Sequence, residues 1–147
     1  MKFSNSIEYA IHALVYLARF SGESPILAAE VAETINVSET YLRKVFQQLS
    51  RSSIVDSQRG AKGGFYLARP AEAITLKDIV ESIDGELPTF TCLKIKRHCS
   101  MPVDCAVHRA FSEAKERMAE VLGATTIAEL SRELSGSSET ESWLPVV

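Results

Sequence analysis

The chain has 147 residues, 46% hydrophobic and 24% charged, enough to bury a core of its own in one compact domain that can carry an association element. A net charge of −3 excludes a uniformly basic nucleic-acid binder, and three cysteines are an odd number for a disulfide framework. No run reaches the roughly 18 uninterrupted apolar residues of a membrane span. The apolar stretch from Ile7 to Phe20 is broken by Glu8, His12 and Arg19 with no small-residue cleavage site after it, so the sequence predicts a cytoplasmic protein without a signal peptide.

From Ser4 to Phe20, the residues Ile7, Ala10, Ile11, Leu14, Val15 and Ala18 recur at helical spacing and predict a first helix, ended by the turn-forming run from Ser21 to Pro25. Ala28, Val31, Ala32 and Ile35 form the stripe of a short second helix closed by Asn36. Ser38 is a good N-cap, Glu39 suits the positive end of a helix dipole, and Leu42, Val45, Phe46 and Leu49 repeat the stripe on a third helix. Two short amphipathic helices joined by the tight Ile35-Asn36-Val37 link make a helix-turn-helix. Ile54 to Gln58 and Phe65 to Leu67 then favour strands, with Gly60, Gly63 and Gly64 between them: a hairpin with a basic tip. Glycine-rich loops also cradle phosphates, but this one has neither the P-loop nor the dinucleotide spacing and opens no helix.

Thr75 caps a fourth helix, with Asp78 at the capping-box position, Leu76, Ile79, Val80 and Ile83 as its stripe, and Gly85 as its stop. A segment opened by Pro88 holds all the cysteines. From about Ala106 to Leu122 a longer helix places Val107, Phe111, Ala114, Met118 and Val121 at alternating spacings of four and three, a heptad-like seam. Such a seam packs on its own domain or on a second copy, and the homodimer is the favoured reading. Thr126-Ile-Ala-Glu129 starts a short final helix, and Ser135 to Val147 reads as a loose polar tail. The predicted architecture is mainly α. It comprises a winged helix-turn-helix with a two-stranded wing over residues 1–84, a cysteine-rich loop over 85–105, C-terminal dimerisation helices over 106–134 and a tail over 135–147.

Residues 41–69 contain Arg43, Lys44, Arg51, Arg59, Lys62 and Arg69 against Asp56 alone, a local charge of +5 that leaves −8 for the rest. Charges on the open face of an amphipathic helix are usually only its solvated surface. Here acids are almost absent where the rest of the chain has them in excess, and the basic stretch coincides with the third helix and the hairpin. Double-stranded DNA is therefore the expected partner, with the third helix in a major groove and the wing along the backbone. Tyr41 and Arg43 are expected to read base edges and Lys44, Arg59 and Lys62 to hold phosphates, with Ser38 and Thr40 beside them at the helix start.

Cys92, Cys99 and Cys105 are spaced C-x6-C-x5-C, which is neither the redox pair C-x-x-C nor a zinc-finger pattern. Lone cysteines are most often small buried hydrophobes. These three instead share a loop with Lys94, Lys96 and Arg97, a setting that suits thiolate ligands, so an iron-sulfur cluster is expected, with zinc as the alternative. A fourth ligand has two sources. His108 follows Cys105 by three residues, though it is equally an ordinary polar position on the long helix. Glu8 and His12 lie on one face of the first helix, about 6 Å apart along its axis, where such a pair is otherwise a surface contact.

The stretches Tyr41-Leu-Arg-Lys-Val-Phe-Gln-Gln-Leu49 and Ile54-Val-Asp-Ser-Gln-Arg-Gly-Ala-Lys-Gly-Gly-Phe-Tyr-Leu-Ala68 resemble the signature of the bacterial winged-helix iron-sulfur regulators that include IscR and NsrR. The likeness runs from Met1 to about Leu134 and takes in Ala124-Thr-Thr-Ile-Ala-Glu-Leu130. It implies a homodimeric transcription factor on a palindromic operator, with crossing C-terminal helices and a cluster in the loop before each. Ser53 stands where the family commonly has glycine, which implies a looser end to the recognition helix.

One redox-responding branch of the family has a pattern matched by Glu8-Tyr9-Ala10-Ile11-His12, and a loop similar to Pro88-Thr-Phe-Thr-Cys92 and Cys105-Ala-Val-His-Arg-Ala110. There a two-iron cluster takes Glu and His from one subunit and two cysteines from the other. The resemblance thus implies Glu8 and His12 with Cys99 and Cys105, and Cys92 as a spare or exchanging thiol. The IscR-like set would instead be Cys92, Cys99, Cys105 and His108. A 2Fe-2S cluster is favoured over 4Fe-4S, sensing redox state, nitric oxide or iron supply. The alternatives are a cluster-free regulator with a thiol or zinc switch, and an enzyme. Against an enzyme stand the missing C-x-x-C and the lack of a third ligand for an iron triad.

Overall fold

The computed structural model describes residues 2–22, 24–89 and 105–136. Cys92 and Cys99, most of the 85–105 loop and the tail beyond Gly136 lie outside the described residues. The described chain runs α1 (Asn5–Phe20), α2 (Ala28–Thr34), α3 (Glu39–Arg51), β1 (Val55–Gln58), β2 (Gly64–Leu67), a 3-10 turn (Ala71–Ala73), α4 (Leu76–Asp84), α5 (Ala106–Ala124) and α6 (Ile127–Gly136). This is the winged helix expected from the sequence, with small differences at the ends. β1 begins at Val55 and β2 at Gly64, α5 runs two residues past Leu122, and α6 reaches Gly136, into what was read as tail.

The two helices of the helix-turn-helix end in the same way. Asn36 has φ 54, its N–H bonds Glu33 O at 3.2 Å, and Val37 N–H reaches Ala32 O at 2.9 Å. Ser53 has φ 53, its N–H bonds Ser50 O at 3.0 Å, and Ile54 N–H reaches Leu49 O at 3.0 Å. These paired bonds satisfy the last carbonyls of each helix. Asparagine visits the left-handed region readily, whereas serine carries a cost of about 1–2 kcal/mol there. The end of α3 therefore keeps both of its hydrogen bonds, and the departure from glycine, read from the resemblance as a looser end, shows up as a serine held at φ 53.

β1 and β2 pair antiparallel from Val55↔Leu67 to Gln58↔Gly64. The wing is anchored at its base, because Ile26 N–H bonds Phe65 O at 2.9 Å and Phe65 N–H bonds Ile26 O at 2.7 Å. That approach needs glycine next door. Gly64 has φ 156, and a Cβ there would sit 2.5 Å from Ile26 O. Phe65 also packs on buried Phe46 of α3, the tilted rings 4.6 Å apart between centroids, so the wing rests directly on the recognition helix.

Ala10, Ala13, Leu14, Val15 and Leu17 make α1 the centre of the core, packed against Leu42, Val45, Phe46 and Leu49 of α3 and against Ile54, Ile74, Ile79 and Ile127. Two capping boxes set the later helices. Asp78 N–H bonds Thr75 Oγ1 at 3.1 Å and Thr75 N–H bonds Asp78 Oδ2 at 3.0 Å. Glu129 N–H bonds Thr126 Oγ1 at 3.2 Å and Thr126 N–H bonds Glu129 Oε2 at 3.0 Å. The starts of α4 and α6 are also tied to each other, Leu76 N–H to Thr125 O at 3.0 Å and Ile127 N–H to Ile74 O at 2.9 Å. Hence α6, grouped by sequence with the dimerisation helices, is part of the winged-helix body, with Ile127 fully buried.

A second cluster joins Ile7, Val80 and Leu87 to Ile11, Ile83, Met118, Ala119 and Leu122, and so docks α5 on α1 and α4. Met118, expected in an intersubunit seam, is therefore engaged within its own chain. The other seam residues face outward: Val107 is 49%, Phe111 52% and Val121 66% exposed, and Ala114 is exposed as well.

Candidate functional site

The outer face of α3 presents Thr40, Arg43, Lys44, Gln47, Ser50 and Arg51, all exposed and opposite the buried Leu42, Val45, Phe46 and Leu49. Ser38, also exposed, caps the helix by accepting a hydrogen bond from Tyr41 N–H at 3.2 Å. Between this stripe and the wing runs an open groove of about 350 Å³ lined by Arg43, Lys44, Gln47, Ser50, Ser57 and Phe65. Gln47 and Ser50 were not singled out from sequence, although they follow Arg43 by one and two turns on the same face. Ser57 enters only because Phe65 holds the wing against α3.

Tyr41 is not placed like a base reader. Its hydroxyl shares a 2.7 Å hydrogen bond with Ser6 Oγ, and its ring meets that of Tyr9 edge-on at 5.6 Å, so the half-buried side chain joins α3 to α1. Arg43 lies on the exposed face of α3. Its guanidinium is held by Glu39 through Nε–Oε1 at 2.8 Å and Nη2–Oε1 at 2.6 Å, with Cζ 5.8 Å from the Phe65 ring centre.

Arg69 belongs to the fold: it donates to Ala73 O at 3.2 Å and pairs with Asp78 Oδ2 at 3.5 Å, linking the wing to α4. Among the described residues Lys44, Arg51, Arg59 and Lys62 make no ion pair. Arg59 and Lys62 are exposed at the wing tip, where Gly63 N–H closes the turn on Gly60 O at 3.0 Å.

On α1, His12 Nε2 lies 4.0 Å from Glu8 Oε1, with the side chains 22% and 58% exposed respectively. Burial pushes the His12 pKa below the ordinary imidazole value, against the raising pull of Glu8. The exposed carboxylate is screened by water, so burial prevails and favours the neutral ring, the form that ligates metal. The spacing suits one ion: metal–donor bonds of about 2.0–2.2 Å put two tetrahedral donors about 3.4 Å apart, within a small side-chain adjustment of the observed distance.

Cys105 is the N-cap residue of α5, half-buried and with no side-chain capping bond. His108 follows on the exposed side of α5, its Nδ1 3.4 Å from Ser112 Oγ. Among the described residues no three of His, Cys, Asp or Glu converge on a metal-sized site. No described helix is long and apolar enough to cross a membrane.

The sequence profile of Rrf2, described as an iron-dependent transcriptional regulator, matches residues 3–133. The chain belongs to the Rrf2 family. The HTH-type transcriptional regulator IscR of Erwinia tasmaniensis is 29% identical over 130 residues, 88% of this chain and 78% of that protein. CymR, the global cysteine regulator of B. subtilis, has a solved structure that superposes with a TM-score of 0.73 at 29% identity, over 90% of this chain and 98% of that one. The structure of T. potens IscR superposes with a TM-score of 0.72 at 26% identity, over 97% of this chain and 95% of that one. As an Rrf2 protein the chain is a winged-helix, DNA-binding transcriptional regulator and not an enzyme.

For an Rrf2 wing of this shape, losing phosphate contacts has a defined signature. The Arg59→Ala, Lys62→Ala double variant is expected to bind all duplexes more weakly. Its log–log salt dependence should flatten by about one unit per lost contact, because each contact releases counterions. Fluorescence anisotropy across a salt series measures both effects, and unchanged affinity would remove the wing from the interface.

Proposed function

We propose that this Rrf2 protein is a cytoplasmic homodimeric repressor of palindromic DNA operators, and that its occupancy of DNA is controlled by a 2Fe-2S cluster held by Glu8 and His12 of one subunit and Cys99 and Cys105 of the partner subunit. The observation that carries the reading is the Glu8–His12 pair, two ligand-type side chains 4.0 Å apart on α1, where burial lowers the imidazole pKa. When bound, such a cluster supplies a redox couple, and mixed nitrogen, oxygen and sulfur ligation raises its potential relative to all-thiolate ligation.

The chain's own residues give the ligands a route to DNA. Ser6 and Tyr9 flank Glu8 and meet Tyr41 at the start of α3, so the α1 segment that bears the ligands also seats the recognition helix. Cys105 begins α5, whose exposed apolar face supports a two-fold interface. A change in ligation across that interface alters the spacing of the two recognition helices, and a palindrome reads that spacing. The signal in this reading is redox state, nitric oxide or iron supply.

A second reading is a cluster-free thiol or zinc switch, favoured by the likeness to CymR, described as the global cysteine regulator of B. subtilis. Anaerobically purified protein separates the two by its visible spectrum with iron, sulfide and zinc counts. Colour with iron and sulfide in equal number is expected; colourless, iron-free protein would remove the cluster.

A further inference from the structure

The Glu39–Arg43 pair bears on which base the recognition helix reads. An arginine offers two donor edges, one formed by Nε with Nη2 and one by the two terminal nitrogens. Glu39 Oε1 accepts on the first edge, from Nε at 2.8 Å and from Nη2 at 2.6 Å. The terminal edge is left for another acceptor pair. Cζ lies 5.8 Å from the Phe65 ring centre, so helix and wing both restrain the plane of the guanidinium. Arg43 also lines the groove between α3 and the wing, beside Gln47 and Ser57.

We infer that Arg43 reads a guanine in the major groove through its terminal nitrogens, donating to O6 and N7. Glu39 and Phe65 are the positioning residues that set this preference. Guanine is the base whose major-groove edge presents two adjacent acceptors that match such a fork. Adenine puts an amino donor where O6 would be, and the repelled donors discriminate against it. Glu39 acts twice in this arrangement, by orienting the fork and by cancelling the charge that would otherwise hold Arg43 on any nearby phosphate. The inference rests on DNA binding alone and is independent of what residues 8, 12, 99 and 105 hold.

The experiment is selection from a randomised duplex library with the full-length protein, followed by anisotropy titration of the selected site against its single-base changes. The parent is expected to select a guanine at one position of each half-site, and to lose about 10- to 100-fold when it is replaced by adenine. Arg43→Lys, a point charge without a fork, should lower that guanine-to-adenine ratio to within about threefold of unity. Glu39→Ala should lower it several-fold while steepening the salt dependence, because a freed guanidinium adds a phosphate contact. Glu39→Gln, whose carbonyl oxygen still accepts, should recover most of the ratio. An Arg43→Lys protein with the parent's base preference overturns the guanine assignment. A Glu39→Ala protein with the parent's preference and salt slope overturns the positioning role. A parent that selects no sequence overturns both, together with sequence-specific DNA binding itself.

Discussion

His12→Ala, purified anaerobically beside the parent, is expected to lose most of its iron and to show a lost or altered visible and electron-paramagnetic-resonance spectrum. Cys92→Ala and His108→Ala should keep both. The expectation follows from the ligand set on α1. His12 is the one nitrogen donor of the set, and mutating even a partner outside the ligand shell typically costs 10- to 100-fold in metal affinity, so removing a ligand should cost more. The change is gentle to the fold, since alanine favours the helix and His12 is only half-buried. An unaltered melting curve would then show that lost iron reflects lost ligation. The IscR-like set of Cys92, Cys99, Cys105 and His108 gives the opposite pattern, with His12→Ala silent and the other two bleached. Cys105→Ala belongs to both sets and should bleach in either case, which makes it the control. An unchanged spectrum in His12→Ala would sink the α1 ligands.

What the sequence made legible was local. The N-cap at Ser38 and the capping boxes at Thr75 and Thr126 each involve residues within three positions, so composition and spacing suffice to find them. The special position of Ser53 came from the family resemblance, which has glycine there, and its φ of 53 agrees with that. What escaped depended on partners far along the chain. The stripe of α6 says that it is amphipathic but not where it packs, and its place is fixed by backbone bonds from Ile74 and Leu76. Charge counting could not see that Arg69 engages Asp78 and Ala73, and a window opening at residue 41 left out Glu39, the acid that holds Arg43. For the proposed ligands, helical spacing put Glu8 and His12 together, while the burial that lowers the imidazole pKa required the packed fold.

Met118 shows why a periodic seam alone misleads. A 3.5-residue repeat and a 3.6-residue face drift apart by only about 20° per heptad, so over α5 the same residues serve an intersubunit seam or a groove on their own domain. The structure divides them: Met118 joins the Ile7, Val80 and Leu87 cluster, while Val107, Phe111, Ala114 and Val121 remain outward. A charge at Met118 would therefore unsettle the monomer itself. Val121→Glu is the cleaner probe, at a position 66% exposed in the single chain.

In a two-fold dimer that substitution enters the interface twice, and burying an unpaired carboxylate costs several kcal/mol, on the order of a whole weak interface. Val121→Glu is therefore expected to sediment as a folded monomer at micromolar concentration where the parent is a dimer, with little change in melting temperature, whereas Met118→Glu melts earlier. The monomer also decides how the ligands are shared. If Glu8 and His12 of one subunit act with Cys99 and Cys105 of the partner subunit, neither monomer holds a complete set, and Val121→Glu should lose its iron although every ligand residue is intact. If Cys92, Cys99, Cys105 and His108 act within one chain, the monomer should keep its colour. A Val121→Glu protein that remains dimeric at nanomolar concentration would place the interface elsewhere, and a coloured monomer would confine the ligands to a single chain.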